Sequence, residues 1–140
     1  MAIAVRAATL IRLLTLLGGV HVAQGLFMLV APGTFFDLAG PFGAENPHYV
    51  RDLATYVLAF GLLLLAAARL PGWRPAALAF GVVSNLLHAG NHLLDIGEAD
   101  PEIVGPLDFV GILALAILFL VMLRGAPPPG RERPGERDPI

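Results

Sequence analysis

The chain has no cysteine, and only 14% of its 140 residues are charged. Without thiols there is no disulfide framework, no thiolate nucleophile, no iron–sulfur cluster and no covalently attached c-type haem. Four-helix membrane thiol oxidoreductases are excluded on the same ground. Lysine is absent too, so all nine basic residues are arginine, set against eleven Asp and Glu for a net charge of −2. They form no basic patch of the kind that holds nucleic acid, and no nucleic-acid partner is expected.

What the chain has in excess is apolar length. Hydrophobic residues make up 56% of it, concentrated in four stretches at about 13–30, 49–68, 76–96 and 103–123. Each holds about 18–21 residues, enough to cross a hydrocarbon core of about 30 Å at 1.5 Å per residue. The expected fold class is therefore all-α: a four-helix up-down transmembrane bundle over residues 1–124, followed by a disordered tail over 125–140. The first stretch is too long for the apolar part of a signal peptide. Ala23-Gln24-Gly25 and Ala31-Pro32-Gly33 are poor cleavage sites, so an anchored first helix is expected.

Arginine sets the orientation. Arg6 and Arg12 precede the first stretch, Arg69 and Arg74 lie between the second and third, and Arg124, Arg131, Arg133 and Arg137 follow the fourth. Arg51 alone falls on the other side, beside Asp37, Glu45, Asp95, Glu98, Asp100 and Glu102. The positive-inside rule then makes both termini cytoplasmic. Asn46-Pro47 and Asp100-Pro101 read as N-caps followed by proline at the first helical position. Pro71-Gly72 ends the second helix, and Arg74-Pro75 opens the third after a short turn. The outer loop, 31–47, carries Phe35, Phe36, Leu38 and Phe42 among Gly, Pro and Asp. It is expected to lie along the interface as a short amphipathic helix or lid, its aromatics capping the bundle against lipid.

A polar stripe interrupts the third stretch. Asn85, His88, His92 and Asp95 fall within roughly a quarter of a helix circumference at 100° per residue. Such a face is costly against lipid and must meet protein or a water-filled cavity. Counting 1.5 Å per residue from the outer ends, His92 lies about 6 Å deep, His88 about 12 Å and His21 about 14 Å, while Asp52, Tyr56 and Asp108 lie at about 5, 10 and 7 Å. Gln24 shares this outer half, and His48 and Arg51 sit at the outer end of the second helix. The cytoplasmic halves are almost purely apolar. This one-sidedness points to an outward-opening polar pocket lined by His21, Gln24, His48, Arg51, Asp52, Tyr56, Asn85, His88, His92 and Asp108.

Four chemistries fit these residues. The first is a structural network in which Arg51 bridges carboxylates and interhelical polar contacts fix register. The second is a zinc or iron site on His88 and His92, which are spaced i,i+4, with Asp108 as third ligand. His88 is not followed by the glutamate of a zinc protease. The third is a bis-histidine haem b between His21 and His88, with Gly18 and Gly25 giving a flat ligand close approach. The fourth is a pocket for an amphipathic or proton-linked small molecule. Four spans leave no second half for alternating access, so a transporter would require a homo-oligomer. No catalytic motif is recognisable, and the catalytic residues are unknown.

The segments P-G-T-F-F-D (Pro32–Asp37), N-P-H-Y-V-R-D (Asn46–Asp52) and S-N-L-L-H-A-G-N-H-L-L-D (Ser84–Asp95), with Asp108, resemble the pattern of small four-helix bacterial membrane proteins of the broad DoxX-like group. The resemblance covers about 25–123. It implies a membrane-bound four-helix bundle, a multi-pass protein of the cell inner membrane, and permits a redox accessory role beside a respiratory or quinone-linked partner subunit. It carries over no catalytic residue.

Overall fold

Prolines and one asparagine mark most helix starts. The computed structural model describes residues 6–126 and contains five α-helices: α1 (Ala7–Val30), α2 (Pro32–Ala39), α3 (Pro47–Arg69), α4 (Arg74–Leu94) and α5 (Val104–Gly125). Among the described residues there is no β-strand, only an isolated bridge between Phe42 and Ala99. Residues 127–140 of the expected tail lie outside the described residues. The Asn46 carboxamide oxygen accepts from the backbone N–H of His48 at 3.1 Å and of Tyr49 at 3.4 Å, capping α3 as its sequence suggests. The 31–47 segment does contain a short helix, α2, with Pro32 in its first turn.

The start of the last helix differs from expectation. Asp100 is not its N-cap, because its backbone N–H donates to the Pro41 carbonyl at 3.1 Å and holds this segment beside residues 40–42. Helix α5 begins only at Val104. At the other end of the chain, α1 starts at Ala7, six residues before the apolar run, since backbone hydrogen bonding does not wait for apolar side chains.

Three helices, α1, α3 and α5, are long and apolar enough to cross a membrane. At 24, 23 and 22 residues they span about 33–36 Å. Helix α4 has 21 residues but is not among them, because Ser84, Asn85, His88, Asn91 and His92 dilute its apolarity. The fourth span is thus not established by length and composition. Large apolar side chains such as Leu16, Leu62, Leu87, Val110 and Ile117 face outward in numbers that suit lipid and not water.

The helices pack as two close pairs, α1 on α3 and α4 on α5, with α3 touching α4 more sparingly. Glycine makes the first pair possible. A Cβ at Gly61 would lie 2.7 Å from the Val22 backbone nitrogen and 2.9 Å from the Gly18 carbonyl oxygen. One at Gly25 would lie 2.9 Å from the Leu58 backbone nitrogen. In the second pair, Phe119 packs flush on Gly81, where a Cβ would come within 2.7 Å of the ring. Small residues admitting close backbone approach are the usual currency of helix association in lipid.

The apolar core gathers Leu10 and Leu14 from the start of α1, Phe60, Leu64, Ala67 and Ala68 from the second half of α3, Ala77 and Leu78 from the start of α4, and Phe119 and Met122 from the end of α5. Arg74 is buried at this end. Its Nε donates to the Ala67 carbonyl at 3.1 Å and its Nη2 to the Ala68 carbonyl at 3.2 Å, so a cation closes the last turn of α3 from the first residue of α4. Replacing it with methionine keeps the length and removes both donors. Arg74→Met should lower unfolding stability by about 1.5–3 kcal/mol, the range for charged hydrogen bonds, read as a lower thermal midpoint in detergent. An unchanged midpoint would show that the bolt carries no strain.

Candidate functional site

Where the core ends, a cavity begins. It has a volume of about 570 Å³, within the range of small-molecule sites, and opens among the ends of the helices remote from the 70–73 turn. Phe60 is the boundary: it belongs to the core and also floors the cavity, with ring centroids 5.1 Å from Phe80 and 5.6 Å from Phe119. The remaining walls come from Met28 on α1, Leu53 and Val57 on α3, and Ile112 on α5. Phe35 and Phe36 of α2, with Phe42 just after it, close the top. These aromatics thus line the cavity instead of merely facing lipid, while Leu38 of α2 stays outside it.

Polar groups converge from four helices. His21 and Gln24 come from α1, Tyr56 from α3, Ser84, Asn85, His88 and His92 from α4, and Asp108 from α5. Several already have local partners. His21 Nδ1 donates to the Leu17 carbonyl at 2.8 Å, and its ring stands edge-on to Phe60 at 5.0 Å. Asn85 Nδ2 donates to the Gly81 carbonyl at 2.8 Å, and Ser84 Oγ to the same carbonyl at 3.4 Å. These bonds run back along each side chain's own helix. They satisfy donors without tying helices together, so they do not amount to the interhelical register network that the sequence suggested.

The exception is a series running across α4 to α5. The Nε2 atoms of His88 and His92 are 3.0 Å apart, and His92 Nδ1 faces Asp108 Oδ2 at 3.9 Å. The latter distance is too long for a hydrogen bond, and both atoms are buried without another partner. Phe42 covers the His92 ring edge-on at 4.9 Å.

Several expected site residues lie elsewhere. His48 and Asp52 form an exposed pair at 3.4 Å at the N-terminal end of α3, away from the cavity, with side chains 76% and 61% accessible. Arg51 is exposed, makes no ion pair among the described residues and does not line the cavity. Asp95 is the residue after α4 and is likewise outside. Helical periodicity gave these residues a common face but not the element that face meets.

The expected metal set of His88, His92 and Asp108 is not gathered around one point either. Among the described residues no group of three or more His, Cys, Asp or Glu side chains is placed to hold an ion. His88 and His92 meet through Nε2, whereas Asp108 sits on the Nδ1 side of His92, so the three lie in line and not around one point. The haem argument loses its glycines, since Gly18 and Gly25 are occupied by α3. Sequence reasoning passed over Phe60 and Phe80. The first follows Tyr56 by one helical turn, a signal available in the sequence. The second became visible only once α3 and α4 were juxtaposed.

Comparison with protein-family models, with curated proteins and with solved structures finds no match.

Proposed function

We propose that the protein is an inner-membrane bundle of four alternating crossings, with both termini cytoplasmic, whose outward-facing cavity binds an amphipathic small molecule. The reading is carried by one observation: the cavity has an aromatic and aliphatic floor and, below the phenylalanines that close its top, a polar wall. An apolar body would rest against Phe60, Phe80 and Ile112, and a polar head would meet Asn85, His88, His92 and Asp108. Leu53, Tyr56 and Phe80 line the cavity while remaining 49%, 74% and 52% accessible, so its walls are continuous with the outer apolar surface. That continuity favours a ligand drawn from the bilayer. The four crossings are supported by the core, where the starts of α1 and α4 meet the ends of α3 and α5. The DoxX-like resemblance extends the proposal to an accessory role beside a respiratory partner subunit.

A cavity-filling substitution tests the reading. Ser84 lines the cavity and carries only a weak backbone hydrogen bond. Ser84→Trp would occupy the space, and overpacking of about 1–3 kcal/mol converts to about a 10- to 100-fold loss of affinity. The readout is titration of detergent-purified protein with an octyl nitrophenol, against a detergent blank, together with mass spectrometry of co-purifying amphiphiles. Equal binding by wild type and Ser84→Trp would overturn the proposal.

A further inference from the structure

The cavity's least explained feature is the pair of buried atoms that face each other without bonding. Leaving a buried donor or acceptor unmade costs about 1–3 kcal/mol per group. His92 Nδ1 and Asp108 Oδ2 both remain so at 3.9 Å. A closure of about 1 Å would bring them to ordinary hydrogen-bond length. That contact becomes strongest when His92 is an imidazolium and Asp108 a carboxylate, because both partners are then charged. The other end of the series is His88, exposed at the cavity wall, with its Nε2 committed to His92 at 3.0 Å. Among the described residues its Nδ1 has no protein partner.

We infer that Asp108, His92 and His88 form a proton-accepting series for the head group of the bound amphiphile, and that the ligand class is one with an acidic hydroxyl, such as a phenol or enol. This rests on the ligand-binding reading given above. The transfer balances without any oxidant or reductant. The ligand O–H bond breaks and its proton forms a bond to His88 Nδ1. The Nε2 proton of His88 passes to Nε2 of His92, whose Nδ1–H is then held by the Asp108 carboxylate. The ligand keeps the electron pair of its O–H bond and stays as an oxyanion, and the charge it leaves behind is a compensated imidazolium–carboxylate pair.

The arrangement follows the logic of any carboxylate–imidazole pair that orients a base and stabilises its charged form. Other titratable groups face the same space: His21 from α1 and Tyr56 from α3, while the segment after α2 contributes the uncharged Phe42 ring. His21 is the competing base. Its Nδ1 proton is committed to Leu17, so its Nε2 remains able to accept.

The octyl nitrophenol separates these possibilities, because its ionised form absorbs in the visible and its protonated form does not. At a pH where the free probe in the same detergent is protonated, probe bound to wild type should show the ionised spectrum. Asp108→Asn and His92→Phe should lose most of that band per molecule of probe bound, whatever their affinity, and His21→Phe should keep it. Circular dichroism melting of each variant establishes that it is folded; should His92→Phe not fold, His92→Gln serves in its place. Probe that binds but stays protonated in wild type overturns this inference and leaves ligand binding standing. So does a band lost in His21→Phe but kept in Asp108→Asn. Probe that does not bind the cavity at all, seen as identical titrations of wild type and Ser84→Trp, overturns both.

Discussion

Gly61→Leu should separate α1 from α3. The atoms that a side chain at position 61 would strike are the Val22 backbone nitrogen at 2.7 Å and the Gly18 carbonyl oxygen at 2.9 Å, with Val22 Cγ2 also at 2.9 Å. Two of the three are backbone, which cannot rotate away, so the whole of α1 must move. Overpacking typically costs about 1–3 kcal/mol, and this case should reach about 3 kcal/mol or more because no side-chain adjustment relieves it. The effect should reach the cavity as well, since His21 and Gln24 ride on α1. A lower thermal midpoint in detergent, with weaker probe binding, is the expected result. Gly19 supplies the control: nothing lies within 4 Å of a Cβ built there. Gly19→Ala should be neutral, or stabilising by up to about 1 kcal/mol through helix propensity. Similar melting of the Gly61 and Gly19 variants would refute the close-packing account.

Phe60→Ala should be comparably damaging for the opposite reason. Phe60 is 7% exposed and touches the rings of His21, Phe80 and Phe119. Removing a buried phenyl group costs about 3–5 kcal/mol when the surroundings collapse only partly. Collapse is hindered here, because the space above Phe60 is already open. The floor would be lost and the cavity would deepen toward Leu64 and Phe119. Two readouts should therefore move together: a marked fall in thermal midpoint, and accommodation of a longer-chained phenol than wild type takes. A loss of stability with no change in chain-length preference would mean that Phe60 is core alone.

Much of this architecture is legible in the sequence because it depends on local rules. Apolar runs of membrane-crossing length become helices, and Asn46-Pro47 caps α3 as a cap-plus-proline pair does anywhere. The same rule fails at Asp100-Pro101, where pairing with Pro41, far outside the reach of a local signal, accompanies a helix start delayed to Val104. The candidate site divides in the same way. His88 and His92 follow from i,i+4 spacing, and Asp108 from depth. The placement of His48, Arg51 and Asp52 outside depends on how α3 is rotated about its axis, which is set by Gly61 meeting Gly18 and Val22. No periodicity within α3 contains that information. The in-line arrangement of His88, His92 and Asp108 was hidden for a related reason: it depends on which edge of the His92 ring turns toward α5.

The sparing contact between α3 and α4 has a mechanical corollary. Each close helix pair is a stiff rod with its own internal fastening, and the rods are pinned together by the core and by Arg74 near the 70–73 turn. At the opposite end a short strap joins them again, where the Asp100 backbone N–H meets the Pro41 carbonyl at 3.1 Å. A ligand of the proposed class would then have to match a gap whose width is set at both ends.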